Sequence, residues 1–302
     1  MAGASKLVHH LLAFLGLGGS GKSTLIKYLA AQKCCLQGGR AAPSQVELLV
    51  MDMRMSSNFF ENHQSTSLTL SSDEVHVWYA SLSQPMPDIQ RLAQTLSEDE
   101  HSRAERFYFE RDRNHFITGR GILRSILSRY LGVKPEQLRF NYGPYGKPAL
   151  TETPGGDTLR FNVSHSAGFA LYAVTYNREI GVDIERIRPI SEIEQIAERF
   201  FSAREWAAIR ALPPSQRQEA FFSYWTCKEA LMKALGDGLF RSLDQVEVSA
   251  SPNEPAKLLN IDGASQAVAR WSLLKLTPPA GYAAALAIEK HNWRLEYRFW
   301  TP

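Results

Sequence analysis

Three cysteines in 302 residues, Cys34, Cys35 and Cys227, are too few and too unevenly spaced for a disulfide framework or a zinc site. A reducing cytoplasm is the compartment that usage suggests. Histidine and cysteine do not cluster, so nothing favours a soft metal. No run reaches the ~18 apolar residues a membrane span requires. The apolar stretch 11-LLAFLGLGG-19 passes into Ser20-Gly21-Lys22-Ser23 without a small-residue cleavage site, which fits a secretory signal poorly. Charge of one sign is also scarce. A net +3 is too weak an excess to argue for nucleic acid, and suits an anionic small ligand or an acidic protein partner. What is present is ordinary for a globular chain, with 44% hydrophobic and 22% charged residues. That length is enough for one large or two small domains.

The first 72 residues differ from the rest. They contain 16-GLGGSGKS-23, a full match to the phosphate-binding pattern G-x-x-x-x-G-K-[ST]. An apolar run precedes it and a helix-like stretch, 24–32, follows. In such a strand-loop-helix, backbone N–H groups wrap phosphates, with Lys22 on the β- and γ-phosphates and Ser23 on magnesium. Asp52 is a loose candidate for a second magnesium-side residue. The motif is similar to that of P-loop NTPases over about 20 residues. A parallel sheet needs several βαβ units of ~30 residues each, so this segment reads as an N-terminal extension rather than a nucleotide-hydrolysing domain.

From residue 74 the pattern becomes regular. Alternation of Val75, Val77 and Tyr79 with His76 and Trp78 predicts a strand over 75–82. Helices are predicted over 89–96, 97–107 (opened by Ser97 and an acidic first turn) and 112–132. The last buries Ile117, Ile122, Leu123, Ile126, Leu127 and Leu131, and carries Arg113, Arg120, Arg124 and Arg129 on its other faces. Strands are predicted around 138–150, 159–166 and 168–175. The second half repeats this sense, with a strand over 180–185 and helices within 191–212 broken near Phe201 and Ser202. A long helix and strands near 244–250, 267–277, 281–289 and 293–300 follow. The expected fold is therefore α+β, with two similar lobes related by a pseudo-twofold axis and a cleft between them. Each lobe has antiparallel strands and a long helix. The expected division is 1–72, 73–178 and 179–302.

The long helix, 221-FFSYWTCKEALMKALGDGL-239, holds the densest chemistry. Trp225, Glu229 and Lys233 recur every four residues and share one face. Gly236 and Gly238 predict its end. Taken alone, Glu229 and Lys233 read as an i,i+4 ion pair. A second stretch, 181-GVDIE-185, puts Asp183 and Glu185 on one face of a strand. Carboxylates that close repel, and a cation between them relieves the repulsion. Glu229 is the natural third oxygen donor, and an all-oxygen set suits magnesium. Lys228 and Lys233 flank it as candidate partners of a bound diphosphate.

The blocks 146-GKP-148, 161-FNVSHS-166, 181-GVDIE-185, 200-FFSAREW-206 and 225-WTCKEALMK-233 together give the chain from about 74 to 300 its resemblance. It resembles the 4′-phosphopantetheinyl transferases of the surfactin-synthetase-activating (Sfp-like) type. Those enzymes move the phosphopantetheine arm of coenzyme A onto a serine of an acyl or peptidyl carrier protein, with magnesium, and release adenosine 3′,5′-bisphosphate. The resemblance implies Asp183, Glu185 and Glu229 as magnesium ligands, one of the glutamates as base through water, and Lys233 as stabiliser of diphosphate charge. It further implies phosphate contact by Lys228, and binding of the adenosine 3′-phosphate end by Arg103, Lys147 and His165. The basic residue that some members carry just before the GKP turn is absent, and Tyr142 to Tyr145 stand there. A cytoplasmic monomer with coenzyme A as co-substrate and an apo carrier as partner is the expectation. The alternatives are a nucleotide-dependent enzyme or switch working through Lys22, and a non-catalytic carrier-protein binder.

Overall fold

The computed structural model describes residues 68–143, 146–151, 158–190, 193–236, 243–252 and 254–302. The P-loop-like motif with Lys22 and Ser23, and Asp52, lie outside the described residues.

The first half runs β1 (Glu74–Ser81), α1 (Met86–Ala93), α2 (Glu98–Glu105), α3 (Glu110–Leu131), β2 (Arg139–Tyr142), β3 (Pro148–Thr151), β4 (Leu159–Ser166) and β5 (Phe169–Tyr176). The second runs β6 (Ile180–Arg186), α4 (Ile193–Phe200), α5 (Ala203–Arg210), α6 (Pro214–Leu235), β7 (Val246–Ser249), β8 (Lys257–Ile261), α7 (Ser265–Val268), β9 (Trp271–Lys275), β10 (Tyr282–Glu289) and β11 (Arg294–Phe299). The break foreseen near Phe201 and Ser202 is a helix cap. Ser202 accepts from Glu205 N at 3.2 Å while the Glu205 carboxylate accepts from Ser202 N at 2.7 Å, so two end groups that a helix leaves unpaired are satisfied at once. Gly236 ends α6 in the left-handed conformation, φ 79°, which costs a residue without a Cβ little.

Two sheets form the frame, β11-β1-β5-β4 and β6-β10-β9. Val75, Val77, Leu171 and Ala173 of the first pack against Ile180, Val182, Ile184, Leu286 and Ile288 of the second. The outer face of the first sheet is covered by α3, through Ile122, Leu123, Ile126 and Leu127. A third core surrounds α6, where Phe221, Phe222, Trp225 and Leu231 meet α4, α5 and β7.

Three expectations change. β1 is covered on both faces, His76 and Trp78 included, because the second sheet packs on one face and α3 on the other. β11 does not join the second half's strands in antiparallel fashion. It pairs in parallel with β1, Glu74 opposite Arg294 and Tyr79 opposite Phe299. Arg124, expected away from the buried stripe of α3, is 1% exposed and is held by Glu100 at 2.7 Å and by the Pro135 and Leu138 carbonyls.

Candidate active site

In β6 the pleat sends Val182 and Ile184 into the sheet–sheet core and Gly181, Asp183 and Glu185 the other way, toward α6. Gly181 allows the helix to approach. A Cβ built there would overlap the Ala230 carbonyl oxygen and the Ala234 amide. Gly181→Ala therefore forces α6 outward or strains it, at a cost of about 1–3 kcal/mol. Because that movement displaces Glu229 and Lys233 from β6, catalysis should fall far more than stability, by about 10²-fold for a 1 Å misplacement. A lowered melting temperature with unchanged turnover would show that close helix approach is not needed for the chemistry.

With the helix seated, Lys233 Nζ reaches Asp183 Oδ1 at 2.6 Å, Ser164 Oγ at 2.9 Å and the Val182 carbonyl at 3.3 Å. Lys233 thus turns across to β6. Burial pulls its ammonium down, but Asp183, Glu229 and Glu185 together outweigh that and its pKa is raised. Burial first, and the Asp183 charge second, push Glu185 up to about 8 and Glu229 up to about 7. Three carboxylates thus crowd one ammonium, with Arg188 Nη1 3.9 Å from Glu185 Oε2.

The β4 edge completes the cluster. Ser164 Oγ donates to Asp183 Oδ1 and Ser166 Oγ to Glu185 Oε2, both at 2.8 Å. The same strand accepts three backbone N–H groups of β6. Val182 N donates to Asn162 Oδ1, Ile184 N to Ser164 Oγ and Arg186 N to Ser166 Oγ, at 3.0, 3.3 and 3.2 Å. Side chains thus bridge the two sheets where no strand ladder does. Sequence reasoning singled out His165 from this stretch and passed over its neighbours. The signal was available as small polar residues at every second position, Asn162, Ser164 and Ser166, which therefore share one face of the strand. Alternation puts His165 on the other face of β4, where it is exposed.

Among the described residues no three acid, histidine or cysteine side chains form a ready metal cage. The donor set nevertheless fits a hard divalent cation. Asp183 Oδ2 is buried without a hydrogen-bond partner among the described residues, and an oxygen so placed is costly unless something binds it.

The remaining predicted residues lie apart from this cluster. Lys147, on the turn between β2 and β3, reaches Glu179 Oε2 at 3.1 Å and the Ile180 and Ala234 carbonyls at 3.4 and 3.5 Å, at the end of α6. Arg103 of α2 is partly buried, its guanidinium 5.2 Å from the centre of the Phe116 ring. Lys228 overturns the expectation of phosphate contact. It is wholly buried, with Nζ 2.5 Å from Glu205 Oε2 and 2.6 Å from the Val246 carbonyl. Glu205 also accepts from Val248 N at 2.8 Å. Burial lowers the Lys228 pKa and raises that of Glu205, while the ion pair opposes both shifts. One residue along a helix is a turn of about 100°, so Lys228 faces β7 while Glu229 faces β6. Cys227 is buried, its thiol pushed up to about 12 by burial, and offers no nucleophile.

Comparison with known proteins agrees with the motifs. The family model described as 4′-phosphopantetheinyl transferase superfamily matches residues 179–287. The one described as 4′-phosphopantetheinyl transferase, N-terminal, matches residues 80–177. The chain is 49% identical over 234 residues to the 4′-phosphopantetheinyl transferase HetI of Nostoc sp., covering 78% of this chain and 94% of that protein. It is 32% identical over 159 residues to the 4′-phosphopantetheinyl transferase Sfp of Bacillus subtilis, covering 53% and 68%. A solved holo-(acyl-carrier-protein) synthase from Bacillus anthracis, in complex with CoA (3′,5′-ADP), is 22% identical, covers 37% of this chain and 94% of its own, and has a TM-score of 0.31.

Proposed function

The chain belongs to the 4′-phosphopantetheinyl transferase superfamily, and from that premise we propose that it converts an apo carrier protein to the holo form with coenzyme A. A carrier serine attacks the β-phosphorus of the coenzyme A diphosphate. The phosphopantetheine group passes to the serine oxygen and adenosine 3′,5′-bisphosphate leaves. The observation that carries this reading is the meeting of Asp183, Glu185 and Lys233 with Ser164 and Ser166 under a helix that also bears Glu229.

A neutral hydroxyl needs a group to take its proton, a fixed phosphate and a sink for leaving-group charge. Glu229 or Glu185 accepts the serine proton through water. Lys233, charged, partly exposed and paired with Asp183, is the cation for diphosphate oxygens. Asp183, Glu185 and Glu229 are the residues that would hold magnesium. Bound there, the ion would orient the diphosphate and offset charge on the departing phosphate. Ser164 and Ser166 keep the two β6 carboxylates aimed toward the helix.

Arg103, Lys147 and His165 are assigned to the nucleotide end of coenzyme A. The reading includes two similar lobes, 73–178 and 179–302, with the site at their junction, and a cytoplasmic monomer. The division is supported by two family models that meet between residues 177 and 179. Residues 1–72 stand outside it as an extension. Among the described residues no helix is long and apolar enough to cross a membrane.

Intact-mass measurement tests the whole reading. An apo acyl or peptidyl carrier incubated with the protein, coenzyme A and magnesium should gain one phosphopantetheine, and chelator should prevent the gain. No gain on fatty-acid, polyketide or peptide carriers would transfer the weight to a non-catalytic carrier binder. Activity lost with Lys22→Ala would instead favour a nucleotide-driven enzyme.

A further inference from the structure

Under α2 and the β2–β3 hairpin lies an ionic cluster whose charges do not balance. Glu100 is 2% exposed and is shared by two arginines of α3. Arg124, 1% exposed, reaches it at 2.7 Å, and Arg120, 10% exposed, at 3.2 Å. Two guanidiniums against one carboxylate leave a net positive charge nearly out of water, an unfavourable state unless an anion compensates it.

The two arginines differ in what remains open. Arg124 is enclosed by Glu100, the Pro135 and Leu138 carbonyls and Ser97 Oγ. Arg120 donates Nη2 to Tyr142 Oη at 2.9 Å and stacks 5.1 Å from the Phe140 ring centre. Its Nη1 is buried without a partner among the described residues. A planar guanidinium held at two positions, with a third N–H group left unsatisfied, is preorganised for a phosphate oxygen that enters beside it.

Its position identifies which phosphate. Coenzyme A carries two anionic groups, the diphosphate and the ribose 3′-phosphate. The diphosphate belongs with Lys233 and the carboxylates of β6. Arg120 stands elsewhere, between the α2 face where Arg103 follows Glu100 by one turn and the strand leading to Lys147. Tyr142 pairs directly with Pro148, the residue after that lysine. We infer that Arg120, positioned by Glu100 and Tyr142, binds the 3′-phosphate of coenzyme A and supplies from α3 the cation that the turn before Gly146 lacks. This rests on the transferase reading.

The test measures binding of adenosine 3′,5′-bisphosphate and adenosine 5′-monophosphate by calorimetry to the full chain and to Arg120→Gln and Arg120→Lys. The wild type should prefer the bisphosphate by roughly 10–100-fold, the range of one or two charged hydrogen bonds. Arg120→Gln should cut that preference by roughly 10-fold, with Arg103, Lys147 and His165 keeping the remainder, and should leave the monophosphate affinity unchanged. Arg120→Lys keeps the charge opposite Glu100 but loses the planar fork, so its preference should be intermediate. It decides the matter should the glutamine variant fail to fold. A preference equal to wild type in the folded variants, or equal weakening of both nucleotides, overturns the inference while leaving the transferase reading intact. A wild type that binds both nucleotides equally overturns it as well. Binding of neither nucleotide to the wild type brings down the transferase reading and the inference with it.

Discussion

Glu229→Gln is expected to lower phosphopantetheine transfer by about 10³-fold or more, the rate equivalent of several kcal/mol of lost charge stabilisation, without loosening the fold. The substitution keeps the shape of the side chain and removes a carboxylate that burial first, and the Asp183 charge second, already hold above its ordinary pKa. The melting temperature should therefore stay level or rise. Asp183→Ala should be equally inactive, and its loss to the fold is limited because Lys233, 29% exposed, can turn to water. Carrier modification followed by intact mass, beside a thermal melt, reads both effects. Turnover equal to wild type in either variant at saturating magnesium would remove these residues from the chemistry.

The second large effect is of the opposite kind. Lys228→Ala should destabilise the protein by about 3–5 kcal/mol, the usual result of stranding one partner of a buried ion pair. Among the described residues it leaves the Glu205 carboxylate of α5 with the Ser202 and Val248 amides. Joint replacement, Lys228→Met with Glu205→Gln, should recover most of that stability, since it removes both charges together. The double variant should also retain the wild-type KM for coenzyme A. Urea unfolding midpoints and steady-state kinetics check the two statements separately. A stable Lys228→Ala protein with a raised KM for coenzyme A would return Lys228 to the phosphate-binding role that motif resemblance assigns it.

Lys228 also shows where a sequence stops being informative. The strand at 180–185, the long helix and its end at Gly236, and the break at Ser202 are local patterns, and each is present in the fold. So is the grouping of Asp183, Glu185 and Lys233, since the strand and helix periods put each set on one face and the fold packs those faces together. The direction of Lys228 is not local. It depends on Glu205, 23 residues away, and on β7, and no periodicity links them. Arg124 was unreadable for the same reason, since its partners Glu100 and Leu138 come from elements on either side of α3. Short β8 went unnoticed because five residues without clear alternation, 257-KLLNI-261, carry little strand signal.

The parallel pairing of β11 with β1 bears on how this chain comes to be assembled. Glu74 and Arg294 are opposite one another across 220 residues of sequence, among the most distant contacts the chain can make. Closing so long a loop carries a large entropic cost that is returned only when the strand is in place. During synthesis, β1 can gain β5 as a neighbour soon after residue 176 emerges, but its other edge must wait for residues 294–299. Through all the time the second half is being made, that edge presents open N–H and C=O groups to any passing strand. Among the described strands that edge belongs to the sheet β11-β1-β5-β4 rather than to the one that carries Asp183, and it is closed only when β11 arrives from the far side of the second half.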